Sequence, residues 1–335
     1  MKVLVTGAGS LLLGGVAAAL HARGDEVVCL QRHVATFAGS DDVQQVLGDA
    51  RDQGAVQRAA TGCEAIVHGA ARVGVVGSWP EFEGVNVKGT ANVLYNARAC
   101  GVSRVVYVST PSVAHSGHSI VGAGADPAVV GRKGAYYAES KAIAEQVAVA
   151  ANTDELAVVV VRPHLVWGPG DTQLVGRLVE RAAAGRLAMV GHGSALIDST
   201  YIDNAISAHV AALDAVHPGA ACAGRAYVIA NGEPRTVYEL IEGICLAAGV
   251  PFEPRHVPVK VALGLGSVVE RLWPRLRDDE PPITRFLAEQ LGTAHWFDPR
   301  PARDDLSWSP RVSLADGFEL LRQWFLVNTR AAVRG

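Results

Sequence analysis

The sequence has no block of like charges, no cysteine pair at metal-binding spacing, and no apolar run long enough to cross a bilayer. Each absence removes a class of function. Lysine plus arginine (30) nearly balance aspartate plus glutamate (33), leaving a net charge of −3 and no concentrated basic face, so no nucleic-acid partner is expected. The five cysteines, Cys29, Cys63, Cys100, Cys222 and Cys245, are odd in number, far apart and without any Cys-x-x-Cys. They fit neither a disulfide framework nor a zinc site and read as reduced thiols, with no metal expected. The stretch from Val261 to Val269 is nine residues, whereas a transmembrane helix needs about 20. Met1 to Thr6 runs directly into a strand pattern rather than a secretion signal, so a soluble, cytoplasmic protein is expected.

What is present is core material. Of 335 residues, 49% are apolar and 19% charged, with mean hydropathy +0.20. That is ample for a sizeable core and excludes disorder. Short β-branched runs (Val3–Thr6, Glu26–Leu30, Val46–Leu47, Ala65–His68, Val105–Ser109, Ala157–Arg162) alternate with helical patterns at 14–23, 52–60, 84–100 and 136–151. Several runs are apolar on both sides, as in a parallel sheet covered on both faces. The fold class is therefore α/β, a Rossmann-type doubly wound parallel sheet. Residues 1–165 read as the dinucleotide-binding domain, completed by parts of 195–232. Residues 166–335 read as mainly a smaller, mixed substrate lobe, with helices near 173–184, 203–216, 236–248, 259–272, 281–291 and 313–326.

After the first strand, Gly7-Ala-Gly9-Ser10 leads into an apolar helix, and Gly7, Gly9, Ser10, Leu11 and Leu12 are the candidate cofactor contacts of this turn. Glycine permits a tight turn and close backbone approach, and a helix N-terminus receives a pyrophosphate. The spacing departs from the usual glycine pattern, because Ser10 and Leu13 stand where second and third glycines are expected and Gly14 comes one residue late. The second strand ends without an acidic residue for a ribose 2′-hydroxyl, and Arg32 offers a cation to a 2′-phosphate. NADP(H) is accordingly expected over NAD(H), which stays open as the alternative. Asp49, after the third strand, is either a partner for the adenine amine or a helix N-cap.

Tyr137 and Lys141 lie four residues apart, on one face of a helix. A phenol titrates near ~10, and an adjacent ammonium is expected to lower that value towards the working range. Tyrosine would then exchange a proton with a carbonyl oxygen. One strand earlier, Ser109, Thr110 and Ser112 put hydroxyls at the end of a strand, where an α/β sheet presents its site. They are suited to positioning that carbonyl, or else to capping their own turn.

These residues, with Asn86-Val-Lys-Gly-Thr90, Arg162-Pro163, Trp167-Gly-Pro-Gly-Asp171 and Tyr201-Ile-Asp-Asn204, resemble extended short-chain dehydrogenase/reductases of the 3β-hydroxysteroid dehydrogenase-like branch. Within it, Ser109-Thr-Pro-Ser-Val113, Asp198-Ser-Thr, Asn231-Gly-Glu-Pro234 and the stretch 284–291 resemble the bacterial 2-alkyl-3-oxoalkanoate reductases of olefin and β-lactone pathways. The resemblance implies Tyr137 as acid/base, Lys141 as its partner and nicotinamide-ribose ligand, and Thr110 as the catalytic hydroxyl with Ser109 beside it. It also implies Ala70, Ala71 and Pro163 along the cofactor. A homodimer through two helices of the Rossmann face, and association with other enzymes of the same pathway, are options it leaves open.

The implied substrate is a lipophilic small molecule, a long-chain 2-alkyl-3-oxo acid. Val259–Trp273 and Phe286–Leu291 would line its tunnel or form the lobe's own core. His164, Trp167 and Asp171, just past the sixth strand, are candidate substrate contacts. Rival readings are a sterol or steroid dehydrogenase of the same branch, a nucleotide-sugar epimerase or dehydratase, and a non-catalytic Rossmann-fold binding or regulatory protein.

Overall fold

A computed structural model of the chain describes residues 1–74, 76–115, 117–131, 135–276 and 285–332. In chain order the first half runs β1 (Lys2–Thr6), α1 (Leu11–Ala22), β2 (Glu26–Gln31), β3 (Gln44–Leu47), α2 (Gln53–Ala60), β4 (Ala65–His68), α3 (Trp79–Phe82), α4 (Gly89–Ala99), β5 (Arg104–Val108), β6 (Ile120–Ala123), α5 (Tyr136–Ala150) and β7 (Ala157–Pro163). There follow β8 (Val166–Trp167), α6 (Val175–Ala183), β9 (Ala188–Val190), β10 (Leu196–Ile197), β11 (Thr200–Tyr201), α7 (Ile202–Ala215), β12 (Ala226–Ile229) and β13 (Arg235–Thr236). The chain ends with α8 (Val237–Ala248), β14 (Arg255–Val257), α9 (Val259–Leu276), α10 (Arg285–Gly292), β15 (His295–Phe297), α11 (Arg300–Leu306) and α12 (Leu314–Ala332). The helix expected at 281–291 begins outside the described residues, as do Pro281, Pro282 and Thr284; α10 is its described part.

Seven parallel strands form the main sheet in the order β12-β7-β5-β4-β1-β2-β3. The continuous apolar runs follow from burial on both faces. Val3 and Val5 pack into the layer with α1 and α7, while Leu4 between them packs into the layer with α2, α4 and α5. Val106 and Val105 divide the same way, as do Val159 and Val158. This alternation lets a parallel strand be apolar throughout.

The remaining strands are short. A mixed four-stranded sheet has the order β13-β10-β15-β6, and two parallel pairs join β8 to β11 and β9 to β14. β6 is thus supplied by the first half of the chain but pairs with strand β15 near the C-terminus. Helix α8 is well bounded, by a Thr236/Glu239 capping box and by Gly249 in the left-handed conformation. On α9, Ala262 is buried whereas Val261, Leu265 and Val268 are exposed.

Candidate active site

The carboxyl ends of the parallel strands share one edge of the sheet, where open α/β folds bind ligands. The sequence candidates for cofactor and catalysis lie along that edge. Gly7 follows β1 at φ +84°, and a side chain on it would meet the Ala70 backbone at 3.0 Å, so both conformation and space demand glycine. A Cβ on Gly9 would meet nothing within 4 Å. Ser10 caps α1, accepting from the Leu13 amide (3.3 Å) and donating to the Gly7 carbonyl (3.1 Å). Leu11 and Leu12 supply first-turn amides for which a helix has no internal acceptor.

Leu13 replaces an expected glycine, and the structure shows what makes room for it. The side chain is buried, with Cγ and Cδ2 each 2.8 Å from where a Cβ on Gly69 would stand. A close backbone approach occurs one residue later, at Gly14, where a Cβ would come within 2.9 Å of the Ala8 carbonyl in the turn after β1. The open backbone at Gly9 and the first-turn amides fit a pyrophosphate, so the altered spacing rearranges the cradle without closing it.

Beside it, the Thr6 hydroxyl accepts from the amides of Gly69 (3.2 Å) and Ala70 (3.1 Å) and bonds His68 Nδ1 (2.7 Å). His68 Nε2 bonds the Thr90 hydroxyl (3.0 Å), which itself donates to the Asn86 carbonyl (2.6 Å). His68 is therefore the Nε2–H tautomer, and burial pushes its pKa down to about 3. Asn86 holds the Arg72 backbone (2.7 and 3.0 Å) and the Ser140 hydroxyl (2.9 Å), tying Ala70-Ala71-Arg72 to α5.

At the end of β2, Arg32 is exposed and close enough to Asp49 to help hold its carboxyl below the usual range. The larger cause is Arg51, whose Nε and Nη2 each donate to Asp49 at 2.8 Å. Asp52 caps α2, so the N-cap alternative for Asp49 is corrected: its carboxylate holds Arg51 instead. Pro163 ends β7 opposite Ile229 of β12.

Tyr137 and Lys141 sit on the first turns of α5. The Tyr137 hydroxyl faces that of Thr110, which lowers its pKa and itself lies 3.1 Å from the Ser112 hydroxyl. Lys141 is buried, with Nζ donating to the Val108 carbonyl (2.6 Å) and lying 4.3 Å from the Tyr107 ring centroid. The expected depression of the phenol by Lys141 does not occur. Burial pushes Tyr137 up to about 12, against a lowering by Thr110. The same desolvation pulls Lys141 down to about 7, opposed by the Glu145 carboxylate.

Three candidates are corrected. Ser109 is buried and donates to Glu145 Oε2 (2.5 Å), so Thr110 is the hydroxyl facing Tyr137. Trp167 is wholly buried, bonded to Ser199 (3.0 Å) and stacked on Phe318 at 4.8 Å, which makes it lobe core. Asp171 accepts from the amides of Gln173, Leu174 and Val175, which fixes the start of α6. His164 donates Nδ1–H to the Asp198 carbonyl (2.7 Å) and packs edge-on to Phe297. Burial lowers its pKa to about 4, leaving it neutral. The sequence reading passed over Gly69 and Glu145. The latter was accessible from spacing, since Tyr137, Lys141 and Glu145 recur at four-residue intervals.

Residues 26–256 match the 3-beta hydroxysteroid dehydrogenase/isomerase family. Over 325 residues the chain is 47% identical to the 2-alkyl-3-oxoalkanoate reductase of Stenotrophomonas maltophilia strain K279a, covering 96% of this chain and 98% of that protein. It is 37% identical over 327 residues to the protein of the same description from Shewanella oneidensis, covering 95% and 84% respectively. Among solved structures, a double mutant of a dTDP-glucose 4,6-dehydratase from Streptomyces venezuelae, crystallised with NAD, is similar with a TM-score of 0.73 and 25% identity over 97% of both chains. A Rossmann sheet with a Tyr137–Thr110 contact at its carboxyl edge agrees with these likenesses. The chain belongs to the 3-beta hydroxysteroid dehydrogenase/isomerase family, a branch of the extended short-chain dehydrogenase/reductases, and is an oxidoreductase that works with a nicotinamide cofactor.

Proposed function

We propose that the enzyme uses NADP(H) to interconvert long-chain 2-alkyl-3-oxoalkanoic and 2-alkyl-3-hydroxyalkanoic acids, as a step in olefin or β-lactone biosynthesis. The observation that carries the chemistry is the placement of Tyr137 opposite Thr110, close enough for Thr110 to lower the phenol's pKa, with Lys141 one helical turn behind. The substrate class follows the two relatives named above, whose likeness extends through the C-terminal lobe.

Gly7, Gly9, Ser10, Leu11 and Leu12 would hold the pyrophosphate, Ala70, Ala71 and Pro163 the nicotinamide half, and Lys141 its ribose. Arg32 would meet the 2′-phosphate, with Asp49 already neutralised by Arg51. When bound, the reduced cofactor supplies hydride to the carbonyl carbon. Thr110 donates a hydrogen bond that fixes the carbonyl oxygen, and Tyr137 delivers its proton to that oxygen as it becomes a hydroxyl. A protonated Lys141 stabilises the tyrosinate left behind, and the reverse reaction returns the proton to Tyr137.

The direct test is oxidation of a racemic 2-alkyl-3-hydroxy fatty acid, with NADP+ and NAD+ offered in parallel and reduced nicotinamide followed by absorbance. The oxidative direction avoids spontaneous decarboxylation of β-keto acids. Faster reduction of NADP+ is expected. Silence from a protein that binds NADPH would refute the substrate and move the test to 3β-hydroxysteroids. Equal rates with both cofactors would refute the role of Arg32.

A further inference from the structure

Behind the catalytic pair lies an ion pair that the reaction above does not use. Arg162, next to last in β7, is 1% exposed, and Glu145, one turn beyond Lys141 on α5, is 3% exposed. Arg162 Nε donates to Glu145 Oε2 at 3.0 Å, and Nη2 donates to Oε1. Oε2 also accepts from Ser109 (2.5 Å), and Arg162 Nη1 donates to the Asp126 carbonyl (2.7 Å). Buried ion pairs seldom stabilise a fold more than apolar residues of the same size would, so cohesion alone does not account for this one.

Its placement offers a reason. Asp126 lies in a strap, residues 124–131, that leaves lobe strand β6 and returns towards α5. Gln146 of α5 donates to the Ala128 carbonyl (3.0 Å), and the Val129 amide donates to the Val113 carbonyl (2.9 Å) in the turn after Thr110. Ser109 immediately precedes Thr110. One ion pair therefore joins the end of β5, helix α5 and the strap, the pieces whose relative position sets the Tyr137–Thr110 contact.

We propose that the Arg162–Glu145 pair is a positioning element of the active site, holding Thr110 and Tyr137 at reacting distance and giving Lys141 its counter-charge. This rests on the reductase reading of Tyr137 and Lys141. Among the described residues, the groups acting on Lys141 are Tyr107 of β5, His68 of β4 and Glu145 of its own helix, with Tyr137 one turn before it and Arg162 of β7 bound to Glu145. Burial keeps His68 neutral and raises Tyr107 well above its usual range, so Glu145 is the carboxylate that favours the ammonium.

The test compares the full-length wild type with Glu145→Gln, the double variant Arg162→Met/Glu145→Met, and Ser109→Ala. Thermal midpoint, NADPH binding by fluorescence, and the pH profiles of kcat and of NADPH binding are measured for each. The double variant is expected to fold and bind NADPH, with kcat down about 10- to 100-fold. The basic limbs of both its profiles should move about one unit to lower pH, because the ammonium has lost its counter-charge. A folded double variant with wild-type kcat and pH midpoints overturns the proposal. Should the Glu145 variants not fold, Ser109→Ala decides: it keeps the ion pair but cuts its tie to β5, so wild-type kcat there is equally fatal. If the wild type oxidises no 2-alkyl-3-hydroxy acid, the substrate reading fails. The pH midpoint of NADPH binding still tests the counter-charge that the pair gives Lys141, and an unmoved midpoint in the double variant overturns the proposal.

Discussion

Replacing Gly69 with alanine should damage the protein through Leu13 and not through the backbone. Gly69 does not occupy the left-handed region, so alanine is conformationally allowed there. Its Cβ would stand 2.8 Å from Leu13 Cγ and Cδ2 and 3.0 Å from Cδ1, inside contact distance of a leucine that is only 4% exposed. Overpacking of this kind costs about 1–3 kcal/mol. Leu13→Ala alone removes three buried carbons and should cost about 2–4 kcal/mol. In the double variant the new methyl enters the space the leucine left, so the total should fall short of the sum by about 1–3 kcal/mol. At an unfolding entropy of about 2.1 cal/mol/K per residue over 335 residues, a 3 kcal/mol loss lowers Tm by about 4 °C. Urea unfolding followed by circular dichroism on all four proteins gives the cycle, and NADPH titration reports on the cradle. Additivity within about 0.5 kcal/mol would refute the reasoning, and so would a harmless Gly69→Ala. Leu13→Gly, which restores one of the two missing glycines, should loosen NADPH binding, because the cavity beside Gly69 frees the first turn of α1.

Tyr137→Phe should lower kcat at least about 100-fold, through loss of the transferable proton, while NADPH binding stays within about twofold of wild type; substantial residual turnover would remove Tyr137 from its role. Arg32→Ala should weaken NADPH about tenfold or more while hardly affecting NADH, and equal losses in parallel titrations would sink the 2′-phosphate assignment. His68 and His209 are buried neutral, with pKa values of about 3 and about 4. Their folded values lie below the unfolded one, so the stability they contribute is complete above pH ~6.5 and is lost as pH falls towards those folded values, about 2 kcal/mol per histidine by pH 5. His68→Gln should therefore flatten the acid limb of a stability–pH curve by about 1.4 kcal/mol per pH unit; an unchanged slope would mean that His68 is not held neutral.

The Rossmann half was legible because a strand covered on both faces must be apolar at every position, and runs such as Val105-Val106 and Val158-Val159-Val160-Val161 satisfy both layers. Helix starts were less so. The pattern opens α1 at residue 14, but the helix starts three residues earlier, at Leu11 behind the Ser10 cap, because Leu11-Leu12-Leu13 shows no period from which a start could be read. The helical stretch expected from residue 84 begins at Trp79 behind a Ser78/Glu81 capping box and passes through a π-helical segment, Glu83–Lys88. Nothing in residue order marks such a bulge. The two-residue strands β8, β10, β11 and β13 are too short to carry an alternation at all.

At the site, residue types were easier to read than their surroundings. Trp167 and Asp171 stand near the end of the strand as expected, but proximity in the chain does not say which way a side chain turns: one turns into the lobe core and the other caps a helix. The Tyr137/Lys141 spacing led to a lowered phenol pKa, because four residues on a helix place two groups together. It carries no information about desolvation, which acts on both partners at once. The burial that raises Tyr137 to about 12 also draws Lys141 down to about 7, and an ammonium can stabilise phenolate only while it keeps its own proton. Whether it does depends on Glu145, and Glu145 is held in place by Arg162, 17 residues further along the chain and on another element. The proton inventory of the site thus belongs to a four-residue arrangement, of which a two-residue motif shows only half.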